Sequence, residues 1–91
     1  MNRAEAYAIL TAELEHWRRL PFSELVSFVG ASPFRTSVPV GAESIELEVY
    51  IKWEKPHAIR IEAIANGPSC WKLERLEEVI IVFAQAPSVD V

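Results

Sequence analysis

Cysteine and aspartate are almost absent from this 91-residue chain. Cys70 is the single cysteine, so no disulfide can form within the chain, and this usage fits a reducing compartment. The single aspartate, Asp90, lies in the C-terminal tail, which in practice excludes a Ser-His-Asp catalytic arrangement. The N-terminus has no signal-peptide hydrophobic region, so we expect a cytoplasmic protein.

Patterns of metal-ligating or catalytic residues are also missing. The two histidines, His16 and His57, form no pair spacing with each other or with Cys70 that a metal site would need. In the predicted sheet, His57 begins one strand and Cys70 begins the next, so the two residues lie at opposite ends of the sheet. The length of the strand between them separates them by about 26 Å, which is too far for a nucleophile and its base. The sequence therefore predicts no enzyme, no catalytic residue, no metal and no cofactor.

Positive charge and long apolar runs are scarce as well. The formal net charge is -4, and an acidic balance argues against nucleic-acid partners and against anionic membrane surfaces. The longest purely apolar run, residues 79–84, is far shorter than a membrane span. Paired carboxylates such as Glu46 and Glu48 are interpreted as part of a solvated strand face.

The clearest positive pattern lies between Ser44 and Glu54. Five apolar residues alternate with polar residues there, which is typical of a half-buried β-strand. The apolar members are Ile45, Leu47, Val49, Ile51 and Trp53. The sequence predicts that this strand is central in a sheet and that Trp53 lies in the core.

Helical patterns precede this strand. Asn2 and Glu5 resemble a capping box, and an apolar stripe of helical spacing follows, consisting of Tyr7, Leu10, Leu14 and Trp17. Pro21 ends this helix and begins a shorter one, for which Gly30 is the predicted stop.

Four further strand regions complete the predicted sheet. Residues 35–40 contain Pro39 and are placed at an edge, and residues 58–65 form the neighbour of the central strand. Their register is predicted to set Lys52 opposite Glu62 instead of opposite Arg60, because opposite charges pair favourably. Residues 70–75 and 79–83 are predicted to be two strands separated by a turn at 77–78, although 70–78 also fits helical spacing.

The predicted fold is a single α+β domain over residues 1–91. An N-terminal helix pair, within residues 1–30, packs on one face of an antiparallel four- to five-stranded meander sheet spanning residues 34–84. Residues 85–91 are predicted to be a frayed tail.

Three segments carry a resemblance to a known group. Residues 20–25, 48–53 and 59–62 read LPFSEL, EVYIKW and IRIE. They resemble a group of small uncharacterised bacterial proteins in which a leucine-rich helix precedes strands that end in tryptophan. That group has no assigned activity, so the resemblance implies no functional residue. It also implies an aspartate after the tryptophan, where this chain has Glu54.

Two functions follow as hypotheses. The first is a non-catalytic protein-interaction module that acts as a homodimer, because the final strand is apolar on both faces and lies at a sheet edge. Its predicted interface consists of Val79, Ile81 and Phe83. The alternative is a small apolar-ligand-binding domain with a pocket between helices and sheet, lined by Trp17, Trp53 and Trp71.

Overall fold

The computed structural model describes residues 3–67 and 75–84, and their architecture confirms the predicted α+β class. Two helices come first and a four-stranded antiparallel sheet in the meander order β1-β2-β3-β4 follows. The elements are α1 (Arg3–Arg18), α2 (Phe22–Phe28), β1 (Phe34–Val40), β2 (Glu43–Lys55), β3 (Ala58–Asn66) and β4 (Arg75–Phe83).

The core lies between the helices and one face of the two central strands. Alternate residues of β2 and β3 are buried there, namely Ile45, Leu47, Val49, Ile51, Ile59, Ile61, Ala63 and Ala65. Helix α1 contacts β3 and β4 on this face. We call it the core face; the period-two alternation of β2 puts its polar residues on the opposite side.

The register of β2 and β3 differs from the prediction. Lys52 lies opposite Arg60, and Ile51 lies opposite Ile61. The reason is the turn: only Pro56 and His57 separate the paired residues Lys55 and Ala58. With a two-residue turn alone, apolar residues of β2 would lie opposite polar residues of β3. A bulge between Trp53 and Lys55 shifts the pairing by one residue, so that the apolar residues of both strands lie on one face.

Strand β1 is at the sheet edge, as its proline predicted. Pro39 lies opposite Ser44 at the end of the strand, where a missing N–H is tolerated. The following two-residue turn begins with Gly41, whose φ of +62° suits the first position of a type II′ hairpin turn.

The C-terminal part of the sheet is one strand where the sequence predicted two strands and a turn. Glu77 and Glu78 do not form a turn but lie inside the single strand β4, paired with Ile64 and Ala63 of β3. Leu76, Ile80 and Val82 pack towards the core from this strand. The predicted strand at 70–75 is described only at Arg75; residues 70–74 and the tail 85–91 lie outside the described residues.

Both helices form where predicted, with one change of face. The buried stripe of α1 consists of Ala6, Leu10, Leu14 and Trp17, whereas Tyr7 is 49% exposed. The prediction that Tyr7 belongs to the stripe is therefore wrong. Pro21 occupies the N-cap position of α2, Val29 is its C-cap, and Gly30 follows the predicted end of the helix with a φ of +85°.

Trp53 corrects the prediction of a core tryptophan. Its side chain is on the core face but is 49% exposed, and its ring centroid lies 6.3 Å from that of Phe22. Because β1 starts with Phe34 opposite Val49, the last residues of β2 extend beyond the edge strand. Trp53 thus has Ile59 on one flank and no strand on the other among the described residues.

Truncation of two tryptophans tests this difference in burial. Trp17 is 6% exposed and contacts the rings of Phe28 and Phe34 at centroid distances of 5.6 and 4.9 Å. We expect Trp17→Ala to lower the free energy of unfolding by about 3–5 kcal/mol, as core aromatic deletions do. Trp53→Ala removes a half-exposed ring and should cost only about 1–2 kcal/mol in the same denaturant titration. Equal losses for the two variants would contradict this assignment.

The β2–β3 turn offers a second test of local structure. His57 has a φ of +72°, a conformation that costs an L-residue about 1–2 kcal/mol and that favours glycine or asparagine after Pro56. We expect His57→Gly to keep or raise the free energy of unfolding, by up to about 1 kcal/mol. His57→Val is the control and should lower it, because a β-branched residue suits positive φ least. A stabilised valine variant would show that the turn does not impose this conformation.

Candidate interaction surface

The sheet face turned away from the helices is called here the outer face. Period-two alternation assigns residues to it: Arg35 and Ser37 of β1, then Glu46, Glu48, Tyr50, Lys52 and Glu54 of β2. From β3 come Ala58, Arg60, Glu62 and Ile64, and from β4 come Arg75, Glu77, Val79, Ile81 and Phe83. The assignment follows from the observed register alone.

Most charges of the outer face are paired across strands. Lys52 Nζ lies 3.2 Å from a carboxylate oxygen of Glu62, and Arg60 lies 3.6 Å from Glu54. Both pairs are diagonal, since Lys52 and Arg60 lie directly opposite each other. Arg60 also contacts Glu62 on its own strand, so this carboxylate lies between two cations and screens them from each other.

The same contacts shift proton affinities. A hydrogen bond from Arg60 is the main cause that lowers the pKa of Glu62, with Lys52 adding to it and desolvation opposing it. The pKa of Arg60 is raised, chiefly by that hydrogen bond. At the β1 edge, the hydrogen bond to Glu48 raises the pKa of Arg35, whose Nε lies 3.0 Å from a Glu48 oxygen. These charges are thus engaged with each other.

An apolar strip of Val79, Ile81 and Phe83 lies beside this charged array. The three side chains alternate along β4 and share the outer face, as the sequence predicted for one face of the final strand. Val79 is 36% exposed and Phe83 61%, while Ile81 is partly exposed. Their β3 neighbours are Glu62, Arg60 and Ala58, so the strip borders the ion pairs directly.

Strand β4 also presents a free backbone edge. It is the terminal strand of the sheet, and no strand pairs with its outer side among the described residues. The Ala84 N–H donates to the His57 carbonyl at 2.8 Å, so residue 84 points its polar backbone groups towards the β3 side. In an antiparallel ladder this direction alternates, so Val79, Ile81 and Phe83 point theirs outward.

The predicted pocket tryptophans lie in different surroundings. Trp17 is in the core beside Phe28 and Phe34, and its indole N–H donates to Glu13 at 2.9 Å. Trp53 contacts Phe22 at the end of β2. Trp71 lies outside the described residues. A pocket that all three line stays a prediction.

A cavity of about 430 Å³ lies at the C-terminal end of α1. It is lined by the connection between the helices, residues 18–22, and by Val82, Phe83 and Ala84 at the end of β4. Leu20, Phe22 and Val82 give it apolar walls, and Arg18 and Arg19 give it positive charge. Neither Trp17 nor Trp53 is among its lining residues.

The residues considered for chemistry are placed apart in the fold. His16 is exposed on α1, 5.9 Å from the Trp17 ring, and His57 is exposed in the β2–β3 turn. Cys70 lies outside the described residues. Within residues 3–67 and 75–84, no three His, Cys, Asp or Glu side chains group as metal ligands. Neither described helix combines the length and apolarity needed to cross a membrane.

Comparison of the chain with protein-family models, with curated proteins and with solved structures finds no match in any of the three. The resemblance drawn from three sequence segments therefore stays a prediction.

Sequence reasoning missed two parts of this surface. It divided β4 at Glu77 and Glu78, and so did not place a charged half and an apolar half on one strand. The available signal was the alternation of Leu76, Ile80 and Val82, interrupted only by Glu78. It also predicted that Lys52 pairs with Glu62, as is observed, but it placed the two residues directly opposite each other and so missed the diagonal geometry of the ion pair.

The lowered pKa of Glu62 predicts a pH dependence of stability. A carboxylate whose pKa falls on folding stabilises the protein above its ordinary pKa of 4.5, and this contribution is lost as the pH falls through the folded value. Glu62→Gln should therefore lower the free energy of unfolding by about 0.5–1 kcal/mol at pH 7. The difference from wild type should shrink below pH 4.5.

Glu43→Gln serves as the control, because Glu43 has no ion pair among the described residues. Denaturant titrations of the three proteins between pH 3 and pH 7 give the comparison. A Glu62→Gln deficit that stays constant or grows towards acid would show that Glu62 is not held by Arg60 and Lys52.

Proposed function

We propose that this chain is a non-catalytic protein-interaction module that acts as a homodimer through the apolar strip. The observation that carries the proposal is the position of Val79, Ile81 and Phe83. They lie side by side on the helix-free face of a terminal strand, next to charges that are already paired.

The composition of the surroundings supports an interface. The centre of a protein interface is typically apolar with an aromatic anchor, and its rim is polar. Here Phe83 supplies an exposed ring, and the ion-paired residues Arg60 and Glu62 border the strip. Since those two charges neutralise each other, a partner that covers the strip would leave neither without a counter-charge.

A second copy of the chain is the simplest partner, because it carries the same apolar strip and no other protein is needed. A two-fold dimer places the same patch on itself, so an apolar strip meets an apolar strip of equal length. The scatter of His16 and His57 over separate elements supports the non-catalytic part of the proposal.

A second candidate function is the binding of a small apolar ligand. The observation that favours it is the cavity beside Leu20, Phe22 and Val82, whose volume of about 430 Å³ falls within the common range for ligand sites. Two of its lining residues, Val82 and Phe83, belong to β4, so the two candidate sites meet at the end of this strand.

Charge substitution in the apolar strip tests the homodimer. We expect wild type to scatter light as a dimer at micromolar concentration, and Ile81→Lys and Val79→Lys to scatter as monomers, because a buried lysine would be unpaired at the interface. Val26→Lys is the matched control. Val26 is 37% exposed on α2 and Val79 is 36% exposed on β4, so the same substitution adds the same charge at equal exposure.

Circular dichroism confirms that each variant keeps its fold before the masses are compared. A soluble wild-type monomer would overturn the homodimer. A lysine variant in the strip that stays dimeric would overturn the strip as its interface.

A further inference from the structure

We propose that the second copy pairs with the outer edge of β4 in antiparallel orientation, with Ile81 opposite Ile81 of the other copy. The two four-stranded sheets would then form one continuous eight-stranded sheet. This inference rests on the proposed homodimer and specifies its geometry.

The backbone supports edge pairing. Val79, Ile81 and Phe83 direct their N–H and C=O groups away from β3, and no described strand accepts or donates on that side. A second antiparallel strand satisfies these groups, as strand addition to an exposed edge does. The residues that carry the free backbone groups are also those of the apolar strip, so one partner strand serves both.

Charge excludes several registers of such a pair. The free backbone groups belong to odd-numbered residues of β4, so odd-numbered residues of one copy must lie opposite odd-numbered residues of the other. In a symmetric pair of this kind the two-fold axis lies at one residue, which then faces the same residue of the other copy. An axis at Glu77 or Glu78 places that carboxylate against its own copy, and like charges directly opposite are destabilising. An axis at Val79 sets Glu77 against Ile81, and an axis at Ile80 sets Glu77 against Phe83, so in both registers a carboxylate lies against the apolar strip.

An axis at Ile81 avoids both problems. Residues 79–83, which contain no charged side chain, pair with residues 79–83 of the other copy. On the outer face Val79 lies opposite Phe83, a β-branched and aromatic combination that is favourable across strands. On the core face Ile80 lies opposite Val82. Glu77 and Glu78 then flank the pairing at both ends.

A spin-label distance tests this register. Arg75 is exposed at the start of β4, and Cys70→Ser leaves Arg75→Cys as the single thiol for labelling. Arg75 is six positions before Ile81, so an axis at Ile81 separates the two copies of position 75 by twice that span. At about 3.4 Å per residue the expected label distance is about 40 Å. An axis at Val79 would give about 27 Å, and one at Glu78 about 20 Å.

A proline substitution tests the backbone bonds separately. Ile81→Pro removes an N–H that points to the free edge of β4, and it removes no hydrogen bond between β4 and β3. We expect this variant to be monomeric, and we expect its circular dichroism spectrum to show that α1, α2 and the sheet remain folded. Ile81→Val keeps the N–H and the apolar side chain and should remain dimeric in the same light-scattering measurement.

The outcomes separate this inference from the proposed function. A wild-type monomer would overturn both. A dimer with a label distance near 40 Å and a monomeric proline variant support the edge pairing. A dimer whose distance is about 27 Å or less, or a folded proline variant that stays dimeric, would overturn edge pairing about Ile81 and leave the homodimer standing. The label distance decides the register whether or not the proline variant folds.

Discussion

The structure depends on the one-residue bulge between Trp53 and Lys55. The tight turn at Pro56 and His57 by itself pairs odd with even residues, which would set the apolar side of β2 against the polar side of β3. The bulge shifts the pairing by one, so that Ile51 meets Ile61 and the buried residues of both strands share the core face. The separation of an apolar face from a charged face therefore begins at this hairpin.

The same register sets the electrostatics of the outer face. It places Lys52 opposite Arg60, which would be unfavourable in isolation. Diagonal neighbours are within reach of long side chains, and Glu62 and Glu54 use that reach to contact the two cations. Exposed pairs of this kind contribute about 0.2–1 kcal/mol, less than the roughly 1.5–3 kcal/mol of one buried aliphatic side chain. Turn geometry and core burial thus decide the register, and the charges adapt to it.

The sequence predicted the parts of this fold that follow from local periodicity. Alternation located β2 and β3, helical spacing located α1 and α2, and Pro39 identified β1 as an edge. Parts that depend on three-dimensional context were missed. The exposure of Trp53 follows from where β1 begins, and Tyr7 is exposed because Ala6, a weaker apolar residue, lies on the packed side of α1. Val79, Ile81 and Phe83 were predicted to share a face. That their N–H and C=O groups point away from β3 follows only from the observed register of β3 and β4.

Strand β4 has a charged first half and an apolar second half. Its first half carries Arg75, Glu77 and Glu78, and charges on an edge strand discourage unspecific pairing with other chains. Its second half has no such protection, and there the outward-facing backbone groups belong to the residues whose side chains form the apolar strip. A partner that satisfied only the backbone would leave Phe83 in water, and one that covered only the side chains would leave the N–H groups unpaired. The edge and the strip therefore favour the same kind of partner, an extended apolar strand.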